Sequence, residues 1–303
     1  MGALWKKIEN KLTQVSLRAF MPDLARQMQA EGTFDIGNVG NIQVTRDDYL
    51  KIVDNGADVT IFAFSGLDVL YAGLARFEFQ KVLNELGYEA NFVFVRDLNR
   101  IGFHLTPDCK PGGLEFYENV IRETKEQLGA PYNIAIGSSM GAFAAFNFGT
   151  RCGMDQIIMF GAAFAVDGYT SWRGIFRTFF DAKKFFTEPR AYFELVLVTI
   201  GACWVYRQMV KWVGNANIAA PLRLFHELDH KPRITLFYGA TAWADAGAAE
   251  SIRSYPNVRL IPLPTGRHNT PAFLKQRGDF AESIAAEIRL CHSAVMAERA
   301  AAN

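Results

Sequence analysis

The chain has 303 residues, half of them hydrophobic and 21% charged, with a formal net charge of +1. That balance excludes a disordered chain, allows one large core or two modest ones, and gives no electrostatic ground for binding nucleic acid. The basic residues are scattered, and Cys109, Cys152, Cys203 and Cys291 are too far apart for a Cys-x-x-Cys motif, so they read as free thiols in a reducing compartment.

In residues 1–30, Leu4, Trp5, Ile8, Leu12 and Val15 recur at helical spacing with Lys and Glu between them. They predict an amphipathic helix that caps the domain, lies on a membrane surface or pairs two subunits into a homo-oligomer. The first seven residues lack the apolar core of a signal peptide. The most lipophilic stretch, residues 195–205, falls short of the ~20 apolar residues of a membrane span. The expectation is a soluble cytoplasmic protein with no transmembrane segment. Residues 32–44, rich in Gly and Asn, suit a hairpin.

From Asp58 onward the pattern becomes regular. Apolar runs of strand length at 59–64, 92–95, 134–136 and 156–160 alternate with helical stretches at 77–86, 114–128 and 142–148. Gly87 and Gly129 close the first two helices. Strands 234–238 and 258–261 and a terminal helix over 280–300 resume the alternation after a long break. Continuous apolar strands separated by helices predict an α/β fold, with a mostly parallel sheet covered on both faces. Ligands of such sheets bind beyond the carboxyl ends of the strands.

The break, residues 166–230, has no clear strand and carries Phe176, Phe179, Phe180, Phe185, Phe186, Tyr192, Phe193, Trp204, Tyr206 and Trp212. It predicts a helical cap over the sheet edge. Its aromatics either form the cap's own core or line a pocket for a small-molecule substrate with an apolar acyl or aromatic part. At the cap's end, His226, Asp229 and His230 offer metal-ligand residue types, although a solvated cap face is the better explanation of them.

Three segments at the ends of different strands carry chemistry. Gly137-Ser138-Ser139-Met140-Gly141 fits G-x-S-x-G between a strand and a helix, a sharp turn that exposes the hydroxyl of Ser139 above the sheet. Asp245 follows the next-to-last strand, and His268 follows the last one. A serine hydroxyl is a poor nucleophile until an imidazole takes its proton, and a carboxylate holds that imidazole in the right tautomer. Arg96 and Asp97, at another strand end, brace loops or touch substrate. No phosphate-binding loop or nucleotide fingerprint is present, so no cofactor and no metal are expected.

Over roughly residues 58–165 and 233–288 the chain resembles the α/β-hydrolase superfamily. The resemblance implies an α/β-hydrolase core of residues 31–165 and 231–303 with the cap of 166–230 inserted. It makes Ser139 the nucleophile, Asp245 the acid and His268 the base, in the family's chain order. It places the oxyanion hole at the N–H groups of Met140 and Leu67, with Gly66 letting the backbone fold inward. Ser65 stands where many members have His; Ser65, Gly66 and His104 are pocket candidates. The acid commonly comes three residues after a Gly that here is Gly239, a position held by Ala242; Asp167 is therefore the alternative acid. The implied activity is hydrolysis of a carboxylic ester or thioester through an acyl-serine, with acyl transfer or a non-catalytic binding role as alternatives.

Overall fold

Apolar runs of five to seven residues form the parallel strands of one sheet: β2 (Val59–Phe64), β3 (Asn91–Val95), β4 (Tyr132–Ser138), β5 (Gln156–Phe160), β6 (Arg233–Gly239) and β7 (Val258–Leu263). The computed structural model describes residues 45–66, 77–162, 171–215, 218–228 and 231–302. The predicted N-terminal helix and hairpin lie outside the described residues.

The seven-stranded sheet has the order β1-β3-β2-β4-β5-β6-β7. Strand β1 (Leu50–Val53) runs antiparallel to β3, pairing Leu50 with Val95; all other neighbours are parallel. The parallel register aligns Phe64 with Gly137, Ser138 with Phe160 and Gly239 with Leu263, so these strand ends share one edge. Both faces are covered. On one, Phe62, Phe64, Val93 and Val95 pack against helix α3 (Gly113–Leu128), α4 (Met140–Arg151) and α9 (Trp243–Ile252). On the other, Ile61, Phe94, Ile134 and Ile136 meet α2 (Gln80–Asn84), α10 (Thr270–Arg277) and α11 (Phe280–Ala302). Rings concentrate under the site: Phe64 stacks on Phe148 at 5.7 Å, and Phe103 meets Tyr117 edge-on at 4.9 Å. Each such buried ring contributes about 1.5–3 kcal/mol.

A short first turn, α1 (Arg46–Tyr49), precedes β1. Between β5 and β6 the chain forms α5 (Trp172–Phe179), α6 (Ala182–Thr187), α7 (Pro189–Val213) and α8 (Pro221–Glu227). Helix α7 is longer than the lipophilic stretch read from the sequence. Its 25 residues are long and apolar enough, by length and composition, to cross a membrane, and 28% of its most apolar window is buried. Its buried residues Ala191, Leu195, Thr199, Val205 and Met209 run along its whole length. Val205 and Met209 pack on Met140 and Phe143 of α4, and Leu195 packs near Trp243 and Ala244 of α9.

The expectation for the cap aromatics is corrected. Phe176, Phe180, Phe186 and Trp212 are exposed and do not fill a core of the cap. The inward side chains of α7 are small or aliphatic, and they reach α4 through Val205 and Met209 and α9 through Leu195.

Candidate active site

At the end of β4 the chain turns directly into α4 through Ser139, whose φ of 55° and ψ of −117° lie outside the ordinary regions for a residue with a side chain. Glycine makes this turn possible on both sides. A Cβ on Gly137 would lie 2.0 Å from the carbonyl oxygen of Gly141, and one on Gly141 2.2 Å from that of Phe64. The N–H of Ser139 donates to the Phe160 carbonyl at 2.9 Å, which pins the turn to β5. Met140 is the first helical residue, so α4 gives its N–H no acceptor, and the positive end of the helix faces the site.

The Ser139 hydroxyl lies 2.8 Å from Nε2 of His268, and Nδ1 of His268 lies 2.8 Å from Oδ1 of Asp245. With the ring proton on Nδ1, the imidazole donates to the carboxylate and accepts from the hydroxyl. Asp245 and His268 are buried and Ser139 is half-buried. Burial opposes protonation of His268, yet the neighbouring Asp245 carboxylate, and Glu194 farther off, hold its pKa above the ordinary histidine value. Asp245 occupies the first turn of α9, where a helix N-terminus favours a carboxylate.

The helices between β5 and β6 are fastened to this edge at three points. Glu194 of α7 accepts from Nε of Arg267 at 2.9 Å and from the Asn269 N–H at 2.5 Å, on either side of His268. Glu188 accepts from the Gly266 N–H at 3.2 Å, and buried Lys184 donates to the Thr241 carbonyl at 2.8 Å. The Arg267–Glu194 pair is only 10% and 13% exposed, so it is far better shielded than a surface ion pair.

A Staphylococcus aureus protein described provisionally as an esterase superposes with a TM-score of 0.53 at 12% identity, covering 82% of this chain and 82% of its own. MenH from S. aureus superposes with a TM-score of 0.50 at 10% identity, covering 80% of this chain and 99% of its own. Proline iminopeptidase from Mycobacterium smegmatis gives 0.50 at 10% identity, with 81% and 95% covered. The fold is that of the α/β-hydrolases. No family model matches the sequence, and no curated protein matches it. At identities this low the likeness carries the architecture alone.

In this α/β-hydrolase sheet the sequence candidates fall into three groups. Ser139, Asp245 and His268 meet through hydrogen bonds, and Met140 adjoins them. Ser65 and Gly66 follow β2 at the same edge; the Ser65 hydroxyl accepts from the Glu78 N–H at 3.2 Å, and Gly66 sits against the Ser138 carbonyl. His104 is engaged elsewhere. Its Nδ1 lies 2.9 Å from the Ile101 carbonyl and its Nε2 accepts from the Ala219 N–H at 3.0 Å, with the ring stacked on Phe143. Burial lowers its pKa, and the ring ties the segment before α8 to the loop after β3. Leu67 and Asp167 lie outside the described residues.

Asp97 braces its loop by accepting from the N–H groups of Asn99, Ile101 and Phe103, while Arg96 reaches the Asp48 carbonyl and stacks over Phe77. Among the described residues no group of three His, Cys, Asp or Glu side chains could hold a metal. His226 contacts Tyr255; Asp229 and His230 are not described.

Sequence reasoning passed over Gly161, at the end of β5. Its φ is +56°, and a Cβ there would lie 2.3 Å from the His268 carbonyl oxygen. Gly161→Ala is expected to cost about 1–3 kcal/mol in backbone strain alone. The melting temperature should fall by roughly 2–4 °C for each of these, and the His268 loop should move. An unchanged melting temperature would show that the close approach is not needed.

Proposed function

We propose that this protein is a serine hydrolase acting on a carboxylic ester or thioester through an acyl-serine intermediate. The observation that carries the reading is the unbroken chain of hydrogen bonds from Ser139 through His268 to Asp245. Attack of the Ser139 oxygen on the substrate carbonyl carbon is coupled to transfer of its proton to Nε2 of His268. Asp245 stabilises the imidazolium that forms and keeps Nε2 aimed at the hydroxyl. The negative oxygen of the tetrahedral intermediate falls beside the Met140 N–H, with the Leu67 N–H as the second donor; each donor is worth about 3 kcal/mol. Collapse expels the alcohol or thiol, which takes its proton from His268. Water then repeats the sequence on the acyl-serine and regenerates the enzyme.

Asp245 serves as the acid because it holds the His268 ring from within the first turn of α9, not from a loop at the family's usual spacing. A fluorophosphonate should form one covalent adduct, and peptide mapping should locate it on Ser139. A folded protein that forms no adduct would rule the reading out.

Catalysis requires neutral His268, so activity should rise with pH with an apparent pKa above the ordinary histidine value of about 6.5. The negative charge of Glu194 helps hold that pKa up. Glu194→Gln, which keeps the shape and loses the charge, should move the acid limb of kcat/KM to lower pH. A limb that stays in place or moves upward would remove Glu194 from this role.

A further inference from the structure

We propose that the outer face of α5, α6 and α7 docks on an anionic lipid surface, making the protein a peripheral membrane enzyme. Among the described residues, every exposed large apolar side chain except Leu290 and Met296 lies on these three helices or, for Phe180, directly after α5. Phe180 and Phe186 are 75% and 79% exposed, values usual for charged side chains rather than rings. A concentration of this kind marks a binding face, since single exposed apolar residues are ordinary but a continuous group is not.

The charges select the partner. All the exposed charged side chains of these helices are cationic: Arg173, Arg177, Lys183, Arg190, Arg207 and Lys211. The three acidic residues are drawn inward: Asp181 caps α6, Glu188 bonds to Gly266 and Glu194 bonds to Arg267. The chain as a whole is nearly neutral, so this face concentrates positive charge that the rest of the surface offsets. Aromatic rings beside Lys and Arg suit the boundary between headgroups and acyl chains, where rings enter the interface and cations meet lipid phosphates. A second copy of the chain, meeting this face across a two-fold axis, would oppose cation to cation.

The geometry also says how the surface is met. On α7, Phe193, Ile200, Trp204, Arg207 and Lys211 follow one another at intervals of seven, four, three and four, a single outward stripe. The opposite side meets α9 through Leu195, Val198 and Ala202 and α4 through Val205 and Met209. A helix held in this way cannot stand across a bilayer. It lies in the interface plane, which gives its apolar length a use that crossing would not.

The full chain should float with vesicles of mixed phosphatidylcholine and phosphatidylglycerol, float weakly with phosphatidylcholine alone, and be released by high salt. Phe180→Asp combined with Phe186→Asp should weaken vesicle binding at least tenfold with an unchanged melting temperature. Arg207→Glu combined with Lys211→Glu should abolish the preference for the anionic vesicles. The Ser139→Ala protein should bind as the parent does, so binding is read independently of catalysis. Failure to bind the mixed vesicles at physiological salt would overturn the proposal. So would binding that survives both pairs of substitutions, which would move attachment to another segment such as residues 1–30. Concentration-dependent dimers lost in the same variants would assign the face to a second copy and would equally overturn it.

Discussion

Replacing Ser139 with alanine should lower ester turnover about 10⁶-fold and leave the fold intact. His268 lies in place to receive the proton of this hydroxyl, and no acyl-enzyme forms at this position without it. The oxyanion donors and substrate binding remain, and they account for a residual rate of about 10³ over water. Alanine inherits the φ of 55° and ψ of −117° that serine tolerates, so Ser139→Ala should melt near the parent temperature. Ser139→Gly should be equally inactive yet more stable than the alanine variant by about 1 kcal/mol, because glycine adopts this backbone without strain. Steady-state kinetics and thermal unfolding of the two variants check both statements. A Ser139→Ala protein keeping about one-hundredth of the rate would end the acyl-serine reading.

Asp245→Asn should lower kcat about 10⁴-fold while preserving the geometry. Asp245 is fully buried, and Asn matches its volume, so packing around α9 survives. The change is in hydrogen-bond direction. An amide that presents its NH₂ group to Nδ1 requires Nδ1 to accept, which leaves the ring proton on Nε2, facing the Ser139 hydroxyl as a donor. The nucleophile then has no base, and the imidazolium has lost its counter-charge. Stopped-flow or steady-state rates with a soluble ester measure the loss. Full activity in Asp245→Asn would transfer the orienting role to another carboxylate, for which Asp167 is the sequence alternative.

The central sheet was legible because parallel strands buried on both faces are written as uninterrupted apolar runs, as in β2 and β5, where every residue is buried. Strand β1 was not, since it is an edge strand with one fully buried residue, and Lys51 and the surrounding polar residues hide it. Helix α9 carries no such signal. Its sequence, rich in Ala and with Gly247 inside, has no polar face for a periodicity to reveal, and this concealed that Asp245 begins a helix. The order Ser139, Asp245, His268 could be taken from strand ends alone, because parallel register brings those ends together whatever lies between them. The sidedness of α5, α6 and α7 could not. Composition shows that a segment is aromatic, but which stripe turns inward depends on which side chains meet α4 and α9. The same limit applies to His104, whose strand-end position says nothing of the two backbone groups its ring nitrogens engage.

One helix touches all three reacting residues' supports. Helix α7 rests on Met140 beside the nucleophile, on Ala244 beside the acid and, through Glu194, on Arg267 beside the base. On the serine-hydrolase reading proposed above, rate and selectivity are therefore mechanically joined. Replacing or reshaping the helices between β5 and β6 would shift Ser139, Asp245 and His268 together, and compensating changes would have to be sought at those three footholds.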